Sequence, residues 1–157
     1  MAVQHTGGES LRIPISGLPP IYGNTVIEKR RYFMKHYDHI RTGLMLEPRG
    51  HADMYGAILT RSNSSKADLD CIFLNGDGYS PMCGHATLAI TKVAFETTLV
   101  KRKGAIKKLT IAVPAGLVHA EAHMADEMTV TKTSFQNVHT LSISKISRSK
   151  YSGLSPR

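Results

Sequence analysis

From Ala86 to Phe95 seven of ten residues are apolar (Ala86, Leu88, Ala89, Ile90, Val93, Ala94, Phe95), and the polar Thr87, Thr91 and Lys92 fall on a narrow stripe. A helix of that composition has to be enclosed, so the remainder of the chain must be arranged around it. Just upstream, Asp68 to Asn75 reads as a buried strand, and Gly76-Asp77-Gly78 followed by Pro81 is strong turn chemistry. Strand, turn and helix meet at Met82-Cys83-Gly84-His85, which puts a cysteine at the helix mouth.

That position has a chemical meaning. The first N–H groups of a helix are unpaired and its dipole is positive there, and both favour anions. A thiol so placed is expected to ionise more easily than free cysteine. Gly84, with no side chain, would let a ligand carboxylate approach the free amides. A thiolate beside a carboxylate suits removal of the neighbouring proton, with Cys83 as base and the amides and His85 steadying the charge that builds on the carboxylate oxygens. A small buried structural cysteine fits the same spacing, and spacing alone leaves both readings open. Zinc fits less well, because Cys71, Cys83 and His85 lack the spacing of a zinc knuckle and no Cys-x-x-Cys is present.

Met82-Cys83-Gly84-His85-Ala86-Thr87 closely resembles the first active-site motif of the proline racemase superfamily. His5-Thr-Gly-Gly-Glu9, Gly17-Leu-Pro-Pro20, Glu28-Lys-Arg-Arg-Tyr32, Asp38-His-Ile-Arg41 and Glu47-Pro-Arg-Gly-His51-Ala-Asp-Met-Tyr-Gly56 are similar to that family's segments, in its order, over about residues 4 to 138. With Gly78-Tyr-Ser ahead of the motif, the likeness is greatest to the branch that dehydrates trans-3-hydroxy-L-proline. The resemblance implies a cofactor-independent hydro-lyase acting on a hydroxyproline or proline, without a metal. Cys83 would be the base, Gly84 and His85 substrate contacts, and Tyr55 a residue lining the pocket. Proline racemase and 4-hydroxyproline epimerase are the alternatives. In those a second cysteine returns the proton, where the dehydratase has a threonine.

The resemblance further implies an α+β domain of the diaminopimelate epimerase-like fold. In it a curved, mostly antiparallel sheet or barrel surrounds a central helix, here Gly84 to about Thr98. Residues 1–138 would form the N-terminal domain of such an enzyme, and 139–157, rich in serine and basic residues, a divergent, disordered tail. Family members are about twice this length, so the chain is expected to be a truncated form lacking the second domain. It would have little activity alone, and a bare apolar seam would invite aggregation or a homodimer.

The rest of the chain fits one domain, with 157 residues and 41% apolar content sufficient for a sizeable core. Residues 5 to 9 read as a polar loop and Ser10 to Ser16 as a strand with Leu11, Ile13 and Ile15 on one face, Pro14 suggesting an edge. Thr25-x-x-Glu28 is a capping box for an amphipathic helix on which Val26, Phe33, Tyr37, Ile40 and Leu44 recur. Lys29, Arg30, Arg31, Lys35 and Arg41 should lie largely away from them as solvated charge. His36 and His39 lack partners for a metal set and read as surface side chains. Leu44 to Leu46 should begin a strand. His51 and Asp53, ahead of a strand from Met54 to Thr60, suit substrate or loop backbone equally.

Ser62 to Ala67 reads as a loop and Lys101 to Lys108 as a solvated connection. Strands should follow at Leu109 to Val113, Leu117 to His123 and Met128 to Thr133. His119, Glu121 and His123 share the outer face of the second of these, the histidines about 13 Å apart, too far to grip one ion. Two cysteines with no disulfide framework, no signal peptide and no apolar span point to the cytoplasm and away from membranes. A net charge of +8 and a pI near 9.7 raise a basic binding role, but no aromatic platform is interleaved with the scattered charges, so nucleic acid is not expected.

Overall fold

The structure is a computed structural model that describes residues 1–138; the tail expected over 139–157 lies outside the described residues. Ten elements follow in order: β1 Ala2–Thr6, β2 Glu9–Ile13, α1 Val26–Met45, β3 Tyr55–Arg61, β4 Leu69–Asn75, β5 Tyr79–Ser80, α2 Gly84–Glu96, β6 Ile106–Val113, β7 Gly116–Met124 and β8 Val130–Gln136. One sheet runs β1-β2-β3-β4-β6-β7-β8, with short β5 paired to β4. Among the described residues only β2 with β3 and β4 with β6 pair in parallel; the other neighbours are antiparallel.

Helix α2 packs against β1, β2 and β3 as well as β7 and β8, so the sheet curls round it and its two ends approach the helix from opposite sides. The largely apolar stretch demanded that enclosure. Ala86, Ala89, Ile90, Val93, Ala94 and Phe95 join Leu11, Ile13, Phe73, Leu109, Ile111, Val118 and Ala120 in one core. Buried Thr87 and Thr91 satisfy their hydroxyls on the carbonyls of Cys83 and Thr87, each at 2.8 Å, one turn back. The domain is therefore the α+β, diaminopimelate epimerase-like arrangement that the resemblance implied.

Helix α1 covers the convex face of the sheet, and the second core lies there: Val26, Phe33, Met45, Met54, Ile58, Ile72 and Leu74. Strand β4 sits between the helices, which is why six of its seven residues are buried: Leu69, Cys71 and Phe73 face α2, while Asp70, Ile72 and Leu74 face α1. The Thr25 capping box forms as expected, with the Thr25 hydroxyl accepting from Glu28 N at 3.2 Å and Glu28 Oε2 returning to the Thr25 amide.

Several local expectations are corrected. Residues 5 to 9 are the end of a hairpin, with Thr6 opposite Glu9 and Gly7 and Gly8 at φ 61° and 97°, the left-handed pair that a two-residue turn requires. Strand β2 is interior, flanked by β1 and β3; it stops at Ile13, before Pro14, and Ile15 is exposed. Leu44 and Met45 finish α1 instead of starting a strand, and Lys107 lies inside β6, buried with its Nζ on the Glu127 carbonyl at 2.6 Å. Helix α2 stops at Glu96, short of Thr98, which has φ 56°.

The largest correction concerns the charges on α1. Lys29 is 4% exposed and Arg41 9%, so neither is solvated. Lys29 Nζ meets Asp70 Oδ2 of β4 and the Arg61 carbonyl, both at 2.6 Å. Lys29 follows Val26 by three residues and precedes Phe33 by four, so at helical spacing it lies on the apolar face and not away from it, where Asp70 of the otherwise apolar strand meets it. Removing one partner of such a pair strands the other charge in the core. Lys29→Met is thus expected to destabilise the fold by about 3–5 kcal/mol, with Lys29→Met/Asp70→Leu losing much less. Urea unfolding midpoints check this, and equal losses in the two variants would refute it.

Candidate functional site

Strand β5 and the segment Ser80–Met82 deliver Cys83 to the start of α2, where it is the N-cap in extended conformation, φ −145° and ψ 118°. Its carbonyl accepts from both the amide and the hydroxyl of Thr87, at 3.1 and 2.8 Å, so the backbone under the thiol is held. The segment before it is pinned by Ser80 Oγ donating to the Met82 carbonyl at 2.8 Å and by the Ala115 amide donating to the Pro81 carbonyl at 3.2 Å.

Cys83 Sγ lies 3.2 Å from His85 Nδ1. The thiol makes no complete cap bond to the first turn, yet the N–H groups of Ala86 and His85 come near enough to favour its anion. They do not win. Burial, at 7% exposure, pushes the thiol above its ordinary value; the Ala86 amide pulls it down, Glu9 pushes it up and the His85 amide pulls it down. This corrects the expectation of an easily ionised cysteine: the sheet that encloses α2 also takes water from its first residue, and desolvation outweighs the helix start. Wholly buried Cys71 on β4 is pushed up further, again mainly by burial.

Around this pair the fold collects side chains from three other places. The ring of Tyr55, from β3, stands edge-on to His85 at 5.1 Å, and Asn75 Nδ2 donates to its hydroxyl at 3.5 Å. Thr6, at the end of β1, donates its hydroxyl to the His85 carbonyl at 3.2 Å. Glu9 opens β2 close enough for its charge to be felt at the thiol. Residue-by-residue reading missed Thr6 and Glu9, although both lie in the His5-to-Glu9 segment that carried part of the resemblance.

Gly84 has a packing reason to be glycine. A Cβ there would sit 3.2 Å from Phe135 Cζ, so the bare α-carbon admits the ring that seats β8 on the helix. The remaining candidates fall elsewhere. His51 binds local structure, its Nδ1 accepting from the Asp53 amide at 3.2 Å and its Nε2 3.3 Å from Ser10 Oγ. His36 and His39 are exposed on α1, His36 stacked on Tyr32. His119 reaches Thr110 Oγ1 at 3.2 Å on the outer face of the sheet. No three His, Cys, Asp or Glu side chains gather as a metal set among the described residues, and no helix there is long and apolar enough to cross a membrane. A hollow of about 880 Å³ beside Phe95, Val100 and Met124 lies at the far end of α2. The thiol, imidazole and amides at its near end bring together groups that are capable of proton transfer, and they define the candidate site.

The proline racemase family model matches residues 2–145. The chain is 42% identical over 150 residues to a trans-3-hydroxy-L-proline dehydratase of Colwellia psychrerythraea, covering 96% of this chain and 42% of the relative. It is 42% identical over 134 residues to a proline racemase of Acetoanaerobium sticklandii, covering 85% and 40%. Among solved structures it is similar to a hydroxyproline epimerase from Agrobacterium vitis with bound trans-4-hydroxy-L-proline, at TM-score 0.72 and 27% identity, covering 80% of this chain and 37% of that one. The chain thus spans about two fifths of the length of these relatives.

A thiol raised by burial ionises late, and the sign for stability follows. The contribution is complete below the unfolded thiol's pKa and is lost as pH rises through the higher folded value. Cys83 is expected to react with iodoacetamide faster than Cys71 near pH 7, with a rate still climbing beyond the free-thiol pKa of about 8.5. Peptide mass spectrometry reads both rates. Equal rates, or a plateau below about pH 8, would contradict this balance of burial and amides.

Proposed function

The chain belongs to the proline racemase family, and on that premise we propose that it carries the proton-abstracting half of a trans-3-hydroxy-L-proline dehydratase. The observation behind this reading is the Cys83 thiol at the first turn of α2, 3.2 Å from His85 Nδ1 and beside the amides of His85 and Ala86. The substrate carboxylate would meet those amides and His85, which turns the α-hydrogen toward Sγ. Sγ, as thiolate, takes that proton, the electron pair left on the α-carbon forms the double bond to the β-carbon, and the β-hydroxyl departs as water with a proton taken from solvent. Tyr55 holds the imidazole edge-on and sets one wall of the pocket.

A racemase or epimerase is the second reading, supported by the names of two relatives. A cysteine facing Cys83 would return the proton to the opposite face of the ring, whereas a threonine cannot and leaves dehydration. By the family resemblance that partner would lie in the part of the longer relatives that residues 1–157 do not span, so residues 1–157 alone should turn over little or no substrate. Two unpaired cysteines suit a reducing compartment, and the cytoplasm is the proposed location.

The reading is tested in a protein joining this chain to a second half from the family. Loss of water from trans-3-hydroxy-L-proline should fall by about 10²–10⁴-fold in Cys83→Ser, the usual contribution of a positioned base. Because burial raises the thiol, turnover in the parent should increase with pH between about 7 and 9. Undiminished dehydration in Cys83→Ser would remove Cys83 from the chemistry. Racemisation of proline without dehydration would select the second reading.

A further inference from the structure

On the convex side of the sheet, where no substrate is proposed to bind, α1 holds a polar network that closes on the strand leading to the thiol. Asp38 accepts from the Tyr79 hydroxyl at 2.7 Å and from both arms of Arg41, Nε at 2.7 and Nη2 at 3.0 Å. The third nitrogen, Nη1, donates to the carbonyls of Asn75 and Gly76 at 3.0 and 2.8 Å, in the turn between β4 and β5. Arg30 donates to the Tyr79 carbonyl at 3.0 Å, and both guanidiniums stand within 6 Å of the Tyr79 ring. Tyr79 is held protonated far above neutrality, chiefly by burial and then by its bond to Asp38, so the network does not open in the working pH range. Burying Arg41 at 9% exposure carries a desolvation cost that an apolar side chain would avoid, and the fork it makes specifies one geometry for the turn and for β5.

Little slack separates this network from Cys83. Tyr79 and Ser80 are paired with Leu74 and Phe73, the Pro81 and Met82 carbonyls are both tied, and Cys83 follows. Resting on Cys83 as the base, we propose that Tyr79, Asp38 and Arg41 are positioning residues that set the depth of the thiol at the helix mouth. Among the described residues the titratable groups that face the thiol are His85, Glu9 and Cys71, none of them on α1. A change on α1 therefore reaches Sγ through the backbone of residues 79–83 and not through its own charge.

The test uses the 157-residue chain and needs no substrate. Tyr79→Phe removes one hydroxyl and keeps the ring, and Asp38→Asn weakens both arms of the fork. The control is Thr25→Ala, which loses the helix cap alone. Loosening the segment lets water reach the thiol, so iodoacetamide should modify Cys83 about threefold faster or more at pH 8 in both variants, with the midpoint of the pH profile moved down toward free cysteine by roughly half a unit. Thr25→Ala should leave rate and midpoint unchanged. Parental rate and midpoint in Tyr79→Phe, or an equal change in Thr25→Ala, would overturn the proposal; if Asp38→Asn does not fold, Tyr79→Phe decides alone. The result is separable from the proposed reaction. Persistent dehydration in Cys83→Ser would end the role of the base and leave the coupling between α1 and the thiol standing.

Discussion

Helix α2 has almost no face that tolerates water, and the sheet exists in its curled form because that helix must be covered from β1 round to β8. Ala86, Ala89 and Ala94 are small enough to let strands come close on several sides, while Ile90, Val93 and Phe95 fill the interior. Gly84 extends the same logic to the first turn, where Phe135 occupies the space of a missing side chain. Coverage by the last strand and access to the first turn thus compete at one residue.

That competition sets the electrostatics of Cys83. A helix start favours an anion through oriented amides, and burial opposes it by removing solvent; which prevails depends on how far the enclosing layer reaches. Here the layer reaches the N-cap, and Glu9 from the β1–β2 hairpin adds like charge. The result is a thiol that stays protonated beside groups arranged for its anion. In the proposed reaction a carboxylate ligand at the amides and a proton acceptor at Sγ would draw on the same few donors, which would make the depth of the N-cap a quantity the fold has to control.

The proposed control of that depth lies on the other side of the sheet. Helix α1 spends buried charge there, Lys29 on Asp70 and Arg41 on Asp38 and two turn carbonyls, where an apolar helix face would have packed with less desolvation. Both groups fasten α1 to β4 and to the turn after it, so the strand between the two helices is located from behind by polar contacts and from the front by α2.

The sequence by itself determined the enclosed helix, the turn before it, the cysteine at its mouth, the Thr25 capping box and the alternation of Val118, Ala120 and Ala122 with His119 and Glu121, because these rest on spacing along a single element. Resemblance added the fold around them. Only the tertiary structure decided what distant elements do to one another. Gly7-Gly8 became a hairpin because a second strand was available, and Lys29 and Arg41 became buried residues because Asp70 and the turn carbonyls came within reach. The thiol was pushed up instead of down for the same reason: solvent exclusion is a sum over every layer that covers a group, and periodicity along one helix carries no record of that sum.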